Sequence, residues 1–402
     1  MELLKLVLVF AVMIALIVAK KPLYIAAPAA GLVCWLVFMI PLKTGALAIS
    51  RSVFSTSTLQ LFACMYIISF MQSMIKVRGG LERSQSGLTR AFHNNWITCT
   101  IAPFVIGLLP AAPAVIISGD IIDEAVGDRL NPGQKATAAS FFRHVSEAFM
   151  PTYPAILMAL DLTGVTPGAF VIGMLPEIVI LILVGCFWLY RGRVPVMAEG
   201  EKSANVAKDL KDFIFGIWPI IGAIILIVGF GTPTWAAVLI VTVAYYLTGK
   251  FGLTEVKPFF ISSIQPQMLI SMVSIYVFTG ILRASNAIDL LPDFFNKLPI
   301  PTFLIFVLIC FFGSIVAGSM TMTSTMIPVA MASIPGAGLP LLCLLMTANY
   351  CASQISPTHV CLSISADNFK VPLGEVIKNT VPILLTFLPI AIAYYLLTSS
   401  IF

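Results

Sequence analysis

The sequence predicts an all-α polytopic membrane protein built from two inverted repeats of five crossings, each with a re-entrant hairpin and a broken helix. Three observations predict it. Hydrophobic residues make up 59% of the chain and charged ones 10%, outside the range of soluble globular domains. Several apolar windows reach the ~20 residues needed to cross a bilayer. The stretch Gly107–Pro176 also has a faint copy 206 positions later, Gly313–Pro382. In the 26 positions from Pro151, six are identical: Pro151/Pro357, Thr152/Thr358, Asp161/Asp367, Val165/Val371, Gly168/Gly374 and Pro176/Pro382. Gly107/Gly313, Ala111/Ala317 and Ser118/Ser324 extend the match upstream. Each copy holds a helix-breaking Pro in apolar sequence, the pattern of a solute site at a repeat interface.

The elements follow in order. Residues 1–19 read as a retained first span, because Lys20-Lys21 leads directly into more apolar sequence and no cleavage site precedes a polar domain. Further spans are expected at 22–41, 54–76, 136–163 (broken at 149–153) and 168–190. Between them, an apolar segment at 97–118 kinks at Pro110-Ala-Ala-Pro113 and reads as a hairpin of about 97–128. The first repeat therefore covers 1–191. A polar cytoplasmic linker, 192–213, leads to the second repeat, 214–402. Its spans are expected at 214–230, 233–249, 259–282, 338–366 (broken at 353–359) and 374–398, with a hairpin at 301–333. The polar stretches 79–95 and 285–299 read as short interfacial helices. Non-helical backbone at membrane depth requires protein or a wet cavity around it.

Cation placement tests this topology. With both termini outside the cell membrane, 17 Lys and Arg residues fall on the cytoplasmic side and five outside. That is the positive-inside bias, and reading either hairpin as a full crossing would blur it. It also accounts for the net charge of +5 without nucleic acid as a partner. Five crossings per half is odd, so the second repeat enters upside down. The eight Cys are scattered without a CxxC and read as small buried hydrophobes, with no disulfide frame or metal site implied.

Ionisable groups inside the membrane are candidate functional groups. The richest cluster is Arg143, His144 and Glu147, just before Pro151-Thr152. Arg143 and Glu147 share a helix face at i,i+4. Arg143 has the planar fork to hold an anionic group, while Glu147, His144 and, further on, Glu177 are candidates for proton coupling. A structural ion pair is the simpler reading of Arg143 and Glu147. The second half offers neutral groups instead. Ser319, Thr321, Thr323, Ser324 and Thr325 stand at the hairpin tip, and Asn349, Ser353, Gln354, Ser356, Thr358 and His359 surround the second break. Hydroxyls, amides and freed carbonyls can replace the water around Na+, although Ser and Thr also join membrane helices to one another. Asp161 and Asp367 fall at span ends and predict capping or turn roles.

Taken together, the paired hairpins, the breaks around Pro151-Thr152 and Ser356-Pro357-Thr358 and the inverted halves resemble the ion transporter superfamily. That group contains divalent anion/sodium symporters, gluconate permeases, arsenite pumps and sodium/proton antiporters. Within it, Ser356–Leu362 and Asp367–Lys370 are similar to a family of integral membrane proteins named only as a domain of unknown function. The resemblance implies a homodimer, an elevator-like transport domain, a small organic anion as substrate and Na+ or H+ as driver, with no other cofactor. The superfamily's Ser-Asn-Thr tripeptide is absent here, so dicarboxylate specificity is not implied. The reading is a secondary active transporter, with a cation/proton antiporter lacking an organic substrate as the alternative. An enzyme is not expected: there are three His, no HExxH, and too few ligands for a catalytic metal.

Overall fold

The computed structural model describes residues 2–19, 21–92, 94–108, 114–196, 205–286, 299–357 and 359–400. The hairpin tip expected at 110–113, most of the polar stretch 285–299, and Thr358 lie outside the described residues. In the first half the helices are α1 (Glu2–Val18), α2 (Leu23–Val37), α3 (Leu42–Val53), α4 (Thr56–Val77), α5 (Gly80–Phe92), α6 (Asn95–Gly107), α7 (Ala114–Val126), α8 (Pro132–His144), α9 (Pro154–Thr163) and α10 (Pro167–Tyr190). In the second they are α11 (Val206–Ile224), α12 (Thr234–Thr248), α13 (Leu253–Ser262), α14 (Pro266–Ala284), α15 (Thr302–Ala317), α16 (Ser319–Ser333), α17 (Gly338–Ser353), α18 (Val360–Asn368) and α19 (Leu373–Ser399). Among the described residues, four stretches are long and apolar enough to cross a membrane: Leu42–Val77, Pro167–Tyr190, Val206–Gly229 and Leu373–Ser399. Side chains such as Leu183, Ile225 and Leu385 stand exposed on their outer faces, which suits a lipid solvent. The chain is a multi-pass membrane protein.

Local sequence explains where the helices around the breaks start. Asn131 accepts from the Gln134 amide at 2.8 Å, and the Gln134 side chain accepts from the Asn131 amide at 3.2 Å. This reciprocal box, with Pro132 at the first helical position, starts α8. Pro154 and Pro167 open α9 and α10 in the same way. Gly164, at φ +71°, ends α9 in the left-handed conformation that favours glycine. Helices α8, α9 and α10 start at 132, 154 and 167, and α17, α18 and α19 start at 338, 360 and 373.

Several expectations need correction. Helix α3 fills the stretch left between the spans expected at 22–41 and 54–76, and it carries Lys43, Thr44, Ser50 and Arg51. It packs on α14 so closely that a Cβ on Gly280 would meet Ser52 Oγ at 2.3 Å. The span expected over 259–282 is two helices, because the chain turns at Ser263–Gln265 and Pro266 opens a new one. The linker expected to end at 213 gives way to α11 at Val206, capped by Asn205. Asp161 has no capping role: its carboxylate accepts a very short hydrogen bond from Tyr276 on α14. Asp367 is exposed near the end of α18.

The expected interfacial helix at 79–95 forms as α5 and lies along α11. A Cβ on Gly80 would meet Gly216 O at 2.5 Å, and one on Gly87 would meet Asp209 O at 2.5 Å. Small residues thus let the two backbones touch. Arg83 bonds Asp212 at 2.7 Å and Arg90 bonds Asp209 at 2.8 Å along the same seam.

Candidate functional site

The first crossing breaks earlier than the expected 149–153. Helix α8 ends at His144, a 3-10 turn covers Val145–Ala148, and turns and extended backbone continue to Tyr153. The second break runs from the end of α17 at Ser353 to the start of α18 at Val360. Helix α18 packs on α8, and the hairpin α15/α16 packs on α17 and α9.

The two breaks meet through side chains. His144 Nε2 lies 3.0 Å from His359 Nε2, with the rings nearly perpendicular at 84°. Arg143 Nη1 donates to Glu147 Oε1 at 3.2 Å and approaches Cys361 Sγ at 3.7 Å. His144 Nε2 is also 3.8 Å from Glu147 Oε1. The Arg143 side chain is 2% exposed and that of Glu147 22%, so the carboxylate is the member of the pair that reaches open space.

That space is a cavity of about 190 Å³. Glu147 and Tyr153 line it from the first break, Ser319 and Thr323 from α16, and Asn349 and Ser353 from α17. Tyr350 also borders it, and its buried hydroxyl has no partner among the described residues. A larger cavity, about 450 Å³, opens beside Gln60, Asp161 and Thr234. Its one carboxylate is already held by Tyr276, and its lining includes none of the residues around the breaks.

The remaining expected residues divide. Ser319 follows the tip, which is Gly318 alone (φ +84°); Thr321, Thr323, Ser324 and Thr325 lie on the helical arm α16, not at the tip. The hydroxyls of Ser324 and Thr325 both donate back to Thr321 O, at 2.8 and 2.7 Å, and so hold their own helix. Ser356 donates to Ile315 O at 2.8 Å and ties the second break to the hairpin. Ser353 donates to Tyr350 O and accepts from Gln354 Nε2 at 3.1 Å. Pro151 and Thr152 form the turn before α9, and the buried Thr152 hydroxyl has no partner among the described residues. Glu177 stands apart: it is buried on α10 and accepts from Thr347 of α17, and no described contact joins it to Arg143 or Glu147.

Asn349 is the best-bonded member. It accepts from Ser314 Oγ at 2.8 Å and donates to Thr323 Oγ1 at 3.0 Å, so one amide joins both arms of the hairpin to α17. Asn349→Ala removes both bonds, and each interhelical bond of this kind contributes up to about 1–2 kcal/mol in membranes. The expected result is a lower melting temperature of the purified protein; an unchanged one would show that the hairpin does not depend on this amide.

Three contributors escaped sequence reasoning. Cys361 is half-buried and faces Arg143, while the other seven Cys are buried and all are free. Tyr153 donates a very short hydrogen bond to Gly107 O, and Ser146 Oγ lies 3.3 Å from its hydroxyl. Gly107 itself lets α6 touch the end of α8, because a Cβ there would fall 1.9 Å from Arg143 O. Its repeat match to Gly313 was the available signal, although the match says nothing about what the glycine touches.

No curated protein matches the chain. Among solved structures it is similar to the Alcanivorax borkumensis YdaH transporter, described as having an unusual topology, at TM-score 0.60 and 14% identity over 87% of this chain and 88% of that one. It is also similar to Neisseria gonorrhoeae MtrF, described with a class of antimetabolite efflux pumps, at TM-score 0.55 and 13% identity over 88% and 83%. Both neighbours are transport proteins, not enzymes, and at these identities the likeness concerns the fold. A family model described as "Protein of unknown function (DUF401)" matches residues 3–397, and the chain belongs to that family.

Proposed function

We propose that the chain is a secondary active transporter that moves a small organic anion, coupled to H+ or Na+, by elevator-like alternating access between two inverted repeats in a homodimer. The observation that carries this reading is the convergence of the first helix break, one hairpin and the end of α17, where the second break begins, on one small cavity that Glu147, Ser319, Thr323, Asn349 and Ser353 help to line. The offset of 206 between the starts of α8, α9, α10 and those of α17, α18, α19 supports the repeats. A volume of about 190 Å³ suits a solute of a few carbons.

Coupling follows from the Arg143–Glu147 pair. With Glu147 ionised, its carboxylate holds Nη1 and stands between the guanidinium and the cavity. A proton on Glu147 weakens that bond and leaves the fork to a solute carboxylate. One proton and one anion then enter together, and each favours the other. Ser319, Thr323, Asn349 and Ser353 supply neutral bonds to the rest of the solute. Net flux follows the gradients, so export, as the description of MtrF indicates for that protein, uses the same site.

Proteoliposomes containing a pH dye test this. Under an imposed proton or sodium gradient, at least one small carboxylate is expected to accumulate and, in the proton case, to acidify the lumen. A pH response to Na+ or K+ alone, with no carboxylate accumulated, would instead establish the antiporter reading. The facing His144 and His359 imidazoles are the observation that favours that alternative.

A further inference from the structure

The side chains where the two breaks meet are also a ligand set. His144, His359 and Cys361 place one ligand atom each within 4.8 Å of one another. We propose that they form a binding site for a borderline divalent transition metal ion, with Zn2+ as the representative, that bridges the two broken helices. This goes beyond the transport reading, and metal binding itself does not depend on it.

The geometry supports a site rather than a chance grouping. His144 Nδ1 lies 2.5 Å from Ser140 O, the carbonyl one turn back on α8. With its proton on Nδ1, the ring donates to that carbonyl and turns the Nε2 lone pair toward His359. A ligating histidine is commonly fixed in this way, with its other nitrogen bonded to a backbone carbonyl. Two imidazole nitrogens bound to tetrahedral zinc stand about 3.3 Å apart, given Zn–N distances of about 2.0–2.1 Å. The observed separation of 3.0 Å is close to that. Cys361 lies two residues after His359, at the start of α18, and supplies the soft ligand. Glu147 Oε1, at 3.8 Å from His144 Nε2, offers a fourth ligand within a short movement; otherwise water takes that place. The Arg143 guanidinium, 3.7 Å from the sulfur, opposes a cation but favours the thiolate that a metal needs, and Glu147 offsets its charge.

His144 ends α8, whereas His359 and Cys361 open α18, so one bound ion ties the two breaks together. The sequence had suggested no metal because His144 stands 215 residues before His359, and only the fold brings it to the His359–Cys361 pair.

The test uses the purified full-length chain with Zn2+ and Co2+. The expected result is about one Zn2+ per chain, a raised melting temperature with zinc, and a thiolate-to-cobalt absorption band with Co2+. Cys361→Ala is expected to abolish the band, and His359→Gln to weaken zinc binding by at least about tenfold. Cys34→Ala, on α2, is expected to change neither. Size-exclusion profiles and metal-free melting of each variant show whether it is folded; if His359→Gln is not, Cys361→Ala carries the test. Absence of the cobalt–thiolate band in the unmodified protein, or a band and zinc stabilisation that survive Cys361→Ala, would overturn the site. If carboxylate transport is measured, zinc should slow it in the unmodified protein and not in Cys361→Ala. Binding without that inhibition would leave the site standing but show that tying the two breaks together does not restrain transport.

Discussion

Arg143→Ala is expected to abolish carboxylate accumulation in proteoliposomes while leaving a folded, purifiable protein. Among the described residues the guanidinium is the one Lys or Arg cation at the junction of the breaks, and its Nη1 donates to Glu147 Oε1 at 3.2 Å. Removing one partner of a fully buried ion pair costs about 3–5 kcal/mol, because the other charge is stranded. Here the stranded carboxylate is 22% exposed toward the cavity, so water or a proton can satisfy it and the cost falls at the lower end. Arg143→Lys keeps the charge but loses the planar fork, and an intermediate rate is expected. The measurement is initial uptake rate alongside melting temperature for both variants. Full-rate uptake with a lowered melting temperature in Arg143→Ala would make the pair a structural lock and move the anion site elsewhere.

Gly107→Ala is expected to have the largest effect on stability. Its new Cβ would lie 1.9 Å from Arg143 O and 2.7 Å from Ser146 Oγ. The obstructing atom is backbone, and it is held in place: Ser146 Oγ donates to that carbonyl at 3.1 Å, and the adjacent His144 is fixed by Ser140. Overpacking typically costs about 1–3 kcal/mol, and more where nothing can yield. The same methyl would push Gly107 O away from Tyr153, whose hydroxyl ties α6 to the first break. The repeat-related Gly313→Ala is the matched control. Its Cβ would meet Met322 Sδ at 2.2 Å, the far part of a flexible side chain that can turn aside. Melting temperature and size-exclusion profile should show Gly107→Ala strongly impaired and Gly313→Ala mildly so. Equal effects in the two variants would mean that the carbonyl of Arg143 can retreat after all.

How much of this was legible depends on the range of the interaction. The interruptions could be read because Pro151 and Pro357 act on their own helices, and the Arg143–Glu147 pair because i,i+4 is a local spacing. What each break touches could not. Cys361 has the same composition signature as the seven buried Cys, and only the contact between α18 and α8 brings it to Arg143. The run of Ser and Thr from Ser319 to Thr325 looked like one cluster of ligands. A helix period divides it, so Ser319 and Thr323 line the cavity while Ser324 and Thr325 bond back to Thr321. Helix α3 was hidden for a different reason: its polar residues masked a helix whose stability comes from packing on α14 rather than from apolar length.

The seam between α5 and α11 restricts which parts can slide. Glycines that bring main chain against main chain leave no layer of side chains to act as a lubricant, and the Arg83–Asp212 and Arg90–Asp209 pairs fix the register along it. These two helices are therefore held together as a single beam. At its start, Gly79, at φ +60°, joins this beam to α4 in a backbone conformation that favours glycine.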